Sequence, residues 1–81
     1  MSFGPKEINE VILHMESVSY KQHLKEIKIT NDFYNYLTEK HTTKIILENT
    51  PEGVIYRFIG VPIVIDNEIN SYYELVFEKE N

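Results

Sequence analysis

Up to about residue 41 the apolar residues of this chain recur at helical spacing, and from Thr42 onward they recur at every second position. A single switch of period of this kind describes helices laid against a sheet, an α+β fold. Lys44-Ile45-Ile46-Leu47-Glu48 and Val54-Ile55-Tyr56-Arg57-Phe58-Ile59 flank Asn49-Thr50-Pro51-Glu52-Gly53, a loop of hairpin length. Gly60-Val61-Pro62 then interrupts the apolar run, and because proline cannot donate to a ladder the chain is expected to bend or bulge before a short strand over 63–65. Residues 66–71 form the next turn. A last strand over 72–78 closes an antiparallel meander of three to four strands, and residues 79–81 are expected to fray.

The helical half is less uniform. Pro5 suits the first helical position and Glu7 the positive end of a helix dipole, so a helix is expected over 5–16 with Ile8, Val11, Ile12 and Met15 as its apolar stripe. Residues 17–30 fit two periods: Tyr20, Leu24 and Ile27 share a helix face, while Ile27 and Ile29 alternate as in a strand. They read as a helical or irregular stretch running into a short extended piece. Thr30 or Asn31 caps a second helix that carries Phe33, Tyr36 and Leu37 on one face and ends near Lys40 or His41. The 81 residues thus form one small domain, with a helical part over 5–41 and a sheet part over 43–78.

Composition excludes several kinds of chemistry. The chain has no Cys, hence no disulfide framework, thiolate zinc site or Cys nucleophile. His14, His23 and His41 lack the i, i+4 spacing of a helical metal pair, so neither a metal nor another cofactor is expected. Asp66-Asn67-Glu68 begins like a calcium loop, but Ser71 and Phe77 stand where that loop needs glycine and a bidentate acid. Ser2, Ser17, Ser19 and Ser71 lie in no nucleophile elbow, and Gly4, Gly53 and Gly60 are too far apart for a phosphate loop. No catalytic residue is assigned, and the protein is expected not to be an enzyme.

Charge narrows the partners. Of the formal net charge of −5, residues 42–81 contribute −4, from 3 Lys/Arg against 7 Asp/Glu. Direct nucleic-acid binding draws on basic side chains, so it is not expected of the sheet half. The N-terminus has no basic start or apolar run of a signal peptide and the longest apolar run is residues 61–65, so a cytoplasmic protein with no membrane partner is expected. There is no Ala, against 11 Ile and 7 Asn, the usage of AT-rich coding DNA.

The run Tyr56-Arg57-Phe58-Ile59-Gly60-Val61-Pro62-Ile63-Val64-Ile65-Asp66, followed by a turn and an aromatic-rich closing strand, resembles the strand, Gly-Val/Ile-Pro-Val/Ile, strand pattern of many small phage and prophage proteins and of some virion proteins. With its closing strand it covers about a quarter of the chain. The resemblance implies a phage or prophage origin and a β-rich C-terminal half, and it carries no catalytic residue across.

Alternation supplies the functional expectation. One sheet face takes Ile45, Leu47, Val54, Tyr56, Phe58, Ile63, Ile65, Tyr73, Leu75 and Phe77, a complete apolar surface for the first helix to cover. The other receives Ile46, Ile55, Ile59, Val64 and Val76, with Lys44, Arg57, Tyr72, Glu74 and Glu78 among them. A patch on the order of several hundred Å² is at or beyond what monomers usually expose. Either the second helix covers it with Phe33, Tyr36 and Leu37, or it is an interface with Arg57 and Tyr72 at its rim. Short connections make opposite faces hard for consecutive helices to reach, which favours a homodimer or an unknown protein partner. The other functions entertained are a virion assembly component and a small-nucleotide binder using Arg57, Lys44 and the tyrosines.

Overall fold

A computed structural model describes residues 3–19 and 23–78. Helix α1 runs over Pro5–Ser19, strand β1 over Leu24–Ile29, helix α2 over Asn31–Lys40, a 3₁₀ turn over Thr42–Lys44, and strands β2 to β5 over Ile45–Thr50, Gly53–Phe58, Val61–Ile65 and Tyr73–Phe77. Pro5 opens α1, with the Glu7 carboxylate accepting from the Gly4 N–H at 2.8 Å. Thr30 caps α2 by accepting from the Phe33 N–H at 3.3 Å. The α+β class, with a mostly antiparallel sheet, is as expected from the change of period. Tyr20 and residues 79–81, on which part of the sequence reading fell, lie outside the described residues.

The meander is corrected in one essential respect. The sheet has five strands in the order β2-β3-β4-β1-β5, and β1, which precedes α2 in the chain, lies between β4 and β5. It pairs parallel to β4 (Ile27 with Ile63) and antiparallel to β5 (Ile27 with Leu75). The helices therefore do not simply precede the sheet. The sequence hid this strand because Leu24 and Ile27 are spaced as on a helix, and because Lys25, Glu26 and Lys28 fill a short segment with charge.

Strand directions follow from the pairings: β2, β4 and β1 run one way, β3 and β5 the other. The path from β1 through α2 to β2 is thus a crossover between like-directed strands, and it lays α2 on the sheet face already occupied by α1. Ile8, Val11 and Met15 of α1, Phe33 and Leu37 of α2, Ile27 and Ile29 of β1 and Phe58 of β3 form one buried cluster. Ile12, Tyr73 and Leu75 pack on it, as their periods foretold. The remaining connections are two-residue turns at 51–52 and 59–60 and the loop 66–72, which crosses the end of β1 with the Thr30 N–H donating to the Tyr72 carbonyl at 3.1 Å and the Asp66 N–H to that of Ile29 at 2.9 Å. None of the described connections returns over the second face.

Because Ile27 is fully enclosed between both helices and three strands, Ile27→Ala should cost about 2–5 kcal/mol. Leu13→Ala, at a side chain 64 % exposed on α1, should change stability by less than about 0.5 kcal/mol. Urea denaturation of both variants checks the contrast.

Candidate protein-interaction surface

The register assigns each strand residue to a face. Opposite residues share a face, so Lys28, Val64 and Glu74 lie together across β1, β4 and β5, with Glu26 and Val76 beside them. Arg57 lies with Pro62 and Ile46, and Ile55 with Glu48. This is the face away from both helices. It gathers Ile46, Ile55, Val64 and Val76 as alternation placed them, with Ile46 57 % and Val64 36 % exposed and Ile55 and Val76 half-buried. Helix α2 does not lie over it, since Phe33 and Leu37 point into the cluster on the other side.

Arg57 sits among these residues but is already engaged. Its guanidinium donates to Glu48 Oε1 from Nε at 3.1 Å and from Nη2 at 3.0 Å, and to the Gly60 carbonyl at 3.2 Å. Nearby Lys28 Nζ lies 3.7 Å from Asp66. The face is therefore an apolar field divided by exposed ion pairs, each adding little to stability.

Ile59 stands at the tip of the β3–β4 turn, 47 % exposed. Its φ is 50° and that of Gly60 is 84°, so both central residues are left-handed, as a two-residue hairpin turn requires. Gly60 meets that requirement without cost, whereas a β-branched residue there is strained by about 1–2 kcal/mol. A strained and exposed isoleucine is the kind of outlier that marks a functional position.

Tyr72 is a correction to the expected outer face. It lies just ahead of β5, where alternation does not govern it, and its ring packs against Phe33 at 4.9 Å and Phe3 at 5.5 Å between centroids. Its hydroxyl donates to Glu10 Oε1 at 2.6 Å and lies 3.3 Å from the Glu7 carbonyl. Tyr72 thus fastens α1 to the sheet and forms no rim with Arg57. Tyr73 faces the same helix, its hydroxyl 2.8 Å from His14 Nδ1, while Glu74 and Glu78 are exposed as expected.

A second correction concerns the helix-facing side. Leu47, Val54 and Tyr56 do lie on that face, but the helices do not cover the first two, each 52 % exposed, and α2 meets Tyr56 only at the edge of Tyr34, 6.3 Å between ring centroids. The β2–β3 hairpin is therefore apolar and open on both sides. Alternation could not show this, because it assigns faces without measuring the reach of the covering helix.

An open cleft of about 520 Å³ lies at the start of α2, lined by Phe3, Thr30, Asp32, Asn67, Asn70, Ser71 and Tyr72. Of its polar groups, Asn67 Oδ1 accepts from the Asn31 N–H at 2.8 Å, Thr30 Oγ1 accepts from the Phe33 N–H, and the Tyr72 hydroxyl is held by Glu10. Neither Lys44 nor Arg57 lines it. The histidines stay apart: His14 is with Tyr73, and His41 caps α2 with Nε2 2.9 Å from the Tyr36 hydroxyl. His23 precedes β1, its carbonyl accepting from the Glu78 N–H at 2.9 Å. Among the described residues no three His, Asp or Glu side chains are grouped to hold a metal ion, and no helix is long and apolar enough to cross a membrane.

Burial, and then the hydrogen bond to Glu10, raises the Tyr72 phenol well above its ordinary range; burial raises Tyr73 too. The folded protein thus holds these protons more tightly than the unfolded chain, so their contribution to stability is full below pH of about 10 and declines as pH rises above it. The urea midpoint should fall across that range, and less steeply in Tyr72→Phe. Ile59→Asn, which relieves the turn, should raise unfolding free energy by about 1 kcal/mol in the same assay at neutral pH. No family model, curated protein or solved structure matches this chain.

Proposed function

We propose that this is a non-enzymatic interaction protein of phage or prophage origin, acting in the cytoplasm of a bacterial host by binding a host or phage protein and associating with itself. One observation carries the reading: both helices lie on one face of the sheet, leaving Ile46, Ile55, Val64 and Val76 uncovered on the other, with Ile59 held exposed beside them in a strained turn. Apolar ground of this kind, interrupted by an Arg57–Glu48 pair, has the make-up of a binding surface: an apolar centre with charged groups that set register.

Light scattering tests it. The wild type should exceed monomer mass at micromolar concentration, and Ile55→Lys and Val64→Lys should remain folded, each losing no more than about 1 kcal/mol, because both side chains border solvent. A monomeric wild type whose two lysine variants unfold would make this face ordinary core and remove the reading.

A further inference from the structure

Strand β2 is an outer strand of the sheet, and among the described residues no strand pairs with its far edge. The hydrogen bond from the Ile59 N–H to the Lys44 carbonyl, 3.1 Å, fixes the phase of the β2–β3 ladder. Antiparallel pairs alternate, so Ile46 and Glu48 turn their backbone groups toward β3, and Leu47 and Asn49 turn theirs outward to the open edge, as Ile45 does with its carbonyl while its N–H donates to the Thr42 carbonyl. The strand contains neither Pro nor Gly and no bulge, and Ile46 and Leu47 project from its two faces into solvent. Natural edges are usually blunted by such devices.

An antiparallel β2–β2′ pair must match outward-facing residues with outward-facing residues, which leaves few registers. Centred on Glu48 it sets two carboxylates face to face, and centred on Leu47 it puts Ile46 against Glu48. Centred on Ile46 it pairs Ile45 with Leu47 on the helix side and Ile46 with its own copy on the other, and it sets Lys44 opposite Glu48 at both ends. Among the described residues Lys44 has no ion-pair partner, and Glu48 meets Arg57 through Oε1, leaving Oε2 for a second cation. The far edge, β5, has no equivalent: a pairing centred on Val76 would oppose Glu74 and Glu78.

The geometry points to a symmetric dimer joined through β2, antiparallel about Ile46, with two reciprocal Lys44–Glu48 pairs. It rests on the self-association proposed above and specifies how that occurs. The Leu47 N–H of each copy donates to the Ile45 carbonyl of the other, the Ile45 N–H staying with Thr42, and the two-fold axis runs perpendicular to the sheet. Both helix layers then lie on one side of a continuous ten-stranded sheet, and the uncovered faces join into a single surface left free for a partner protein.

The absence of cysteine makes the test clean. At this register the two Ile46 Cβ atoms stand about 5 Å apart, so Ile46→Cys should form a disulfide-linked dimer on mild oxidation, whereas Val64→Cys, two strands inside the edge, should not. Leu47→Pro deletes an outward N–H that β3 does not use, and should weaken dimerisation at least about tenfold, or about 1.4 kcal/mol, with the circular dichroism of the folded chain retained. Ile46→Lys, which sets two ammonium groups across the axis, should do the same at an exposed side chain and serves if the proline variant fails to fold. A wild-type dimer that cross-links through Val64→Cys in preference to Ile46→Cys overturns the edge pairing and leaves the interaction reading standing. A wild type that stays monomeric overturns the edge pairing together with the self-association on which it rests.

Discussion

Ile27 and Ile29 project from the middle of the sheet into the space between the two helices, and the rest of the molecule is arranged around their burial. Their strand is paired on both sides, to β4 and to β5, and the side chains beneath α1 and α2 meet at these two residues. Without β1 the helices would have only the narrow β2–β3–β4 meander to cover, and β5 would have no neighbour. The aromatic group of Phe3, Phe33, Tyr36 and Tyr72 extends the same contact toward the loop 66–72, where the Tyr72 hydroxyl ties that loop to α1. Burial at the centre and one phenol hydrogen bond at the margin thus set where both helices lie.

That arrangement determines the exposed surface. A sheet flanked by helices on both sides hides two apolar faces; this one has helices on one side only, yet its strands carry Ile and Val on both. The uncovered side chains fall into two groups with different prospects. Those on the far face form a broad field suited to another protein's surface. Those on the β2–β3 hairpin border an unpaired strand, where backbone hydrogen bonding adds direction to apolar contact.

Much of this was legible in the residues. The change of period at Thr42 located three of the sheet's strands and the closing β5, Pro5 and Thr30 marked the helix starts, and alternation sorted Phe58, Ile63, Leu75, Val64 and Val76 onto their observed faces. β1 was not legible because six residues bearing Lys25, Glu26 and Lys28 satisfy a helical spacing as well as an extended one, and only pairing with distant strands, Ile27 with Ile63 and with Leu75, decides between them. Tyr72 escaped for a different reason: it lies outside any strand, where neither period applies. The exposure of Leu47 and Val54 depends on the reach of α2, a property of three-dimensional extent that no pattern of residues encodes. Of the candidate surface, the sequence identified the far-face members and missed the hairpin edge.

The central position of β1 also orders events in time. The hairpin β2–β3 and the turn into β4 close through local contacts, but β1 meets neither neighbour until chain far downstream of it exists, since its partners lie at 63–65 and 73–77. Pairings of such long separation form slowly relative to hairpins. Because synthesis runs from the N-terminal side, α1 and β1 are made before β4 and β5 and have no core to join until both of those strands are available. Once they are, and until β1 docks, the slot between β4 and β5 is open to any β1 within reach, including that of a neighbouring copy, and exchange of the α1–β1 segment between chains is the misassembly this topology must outrun.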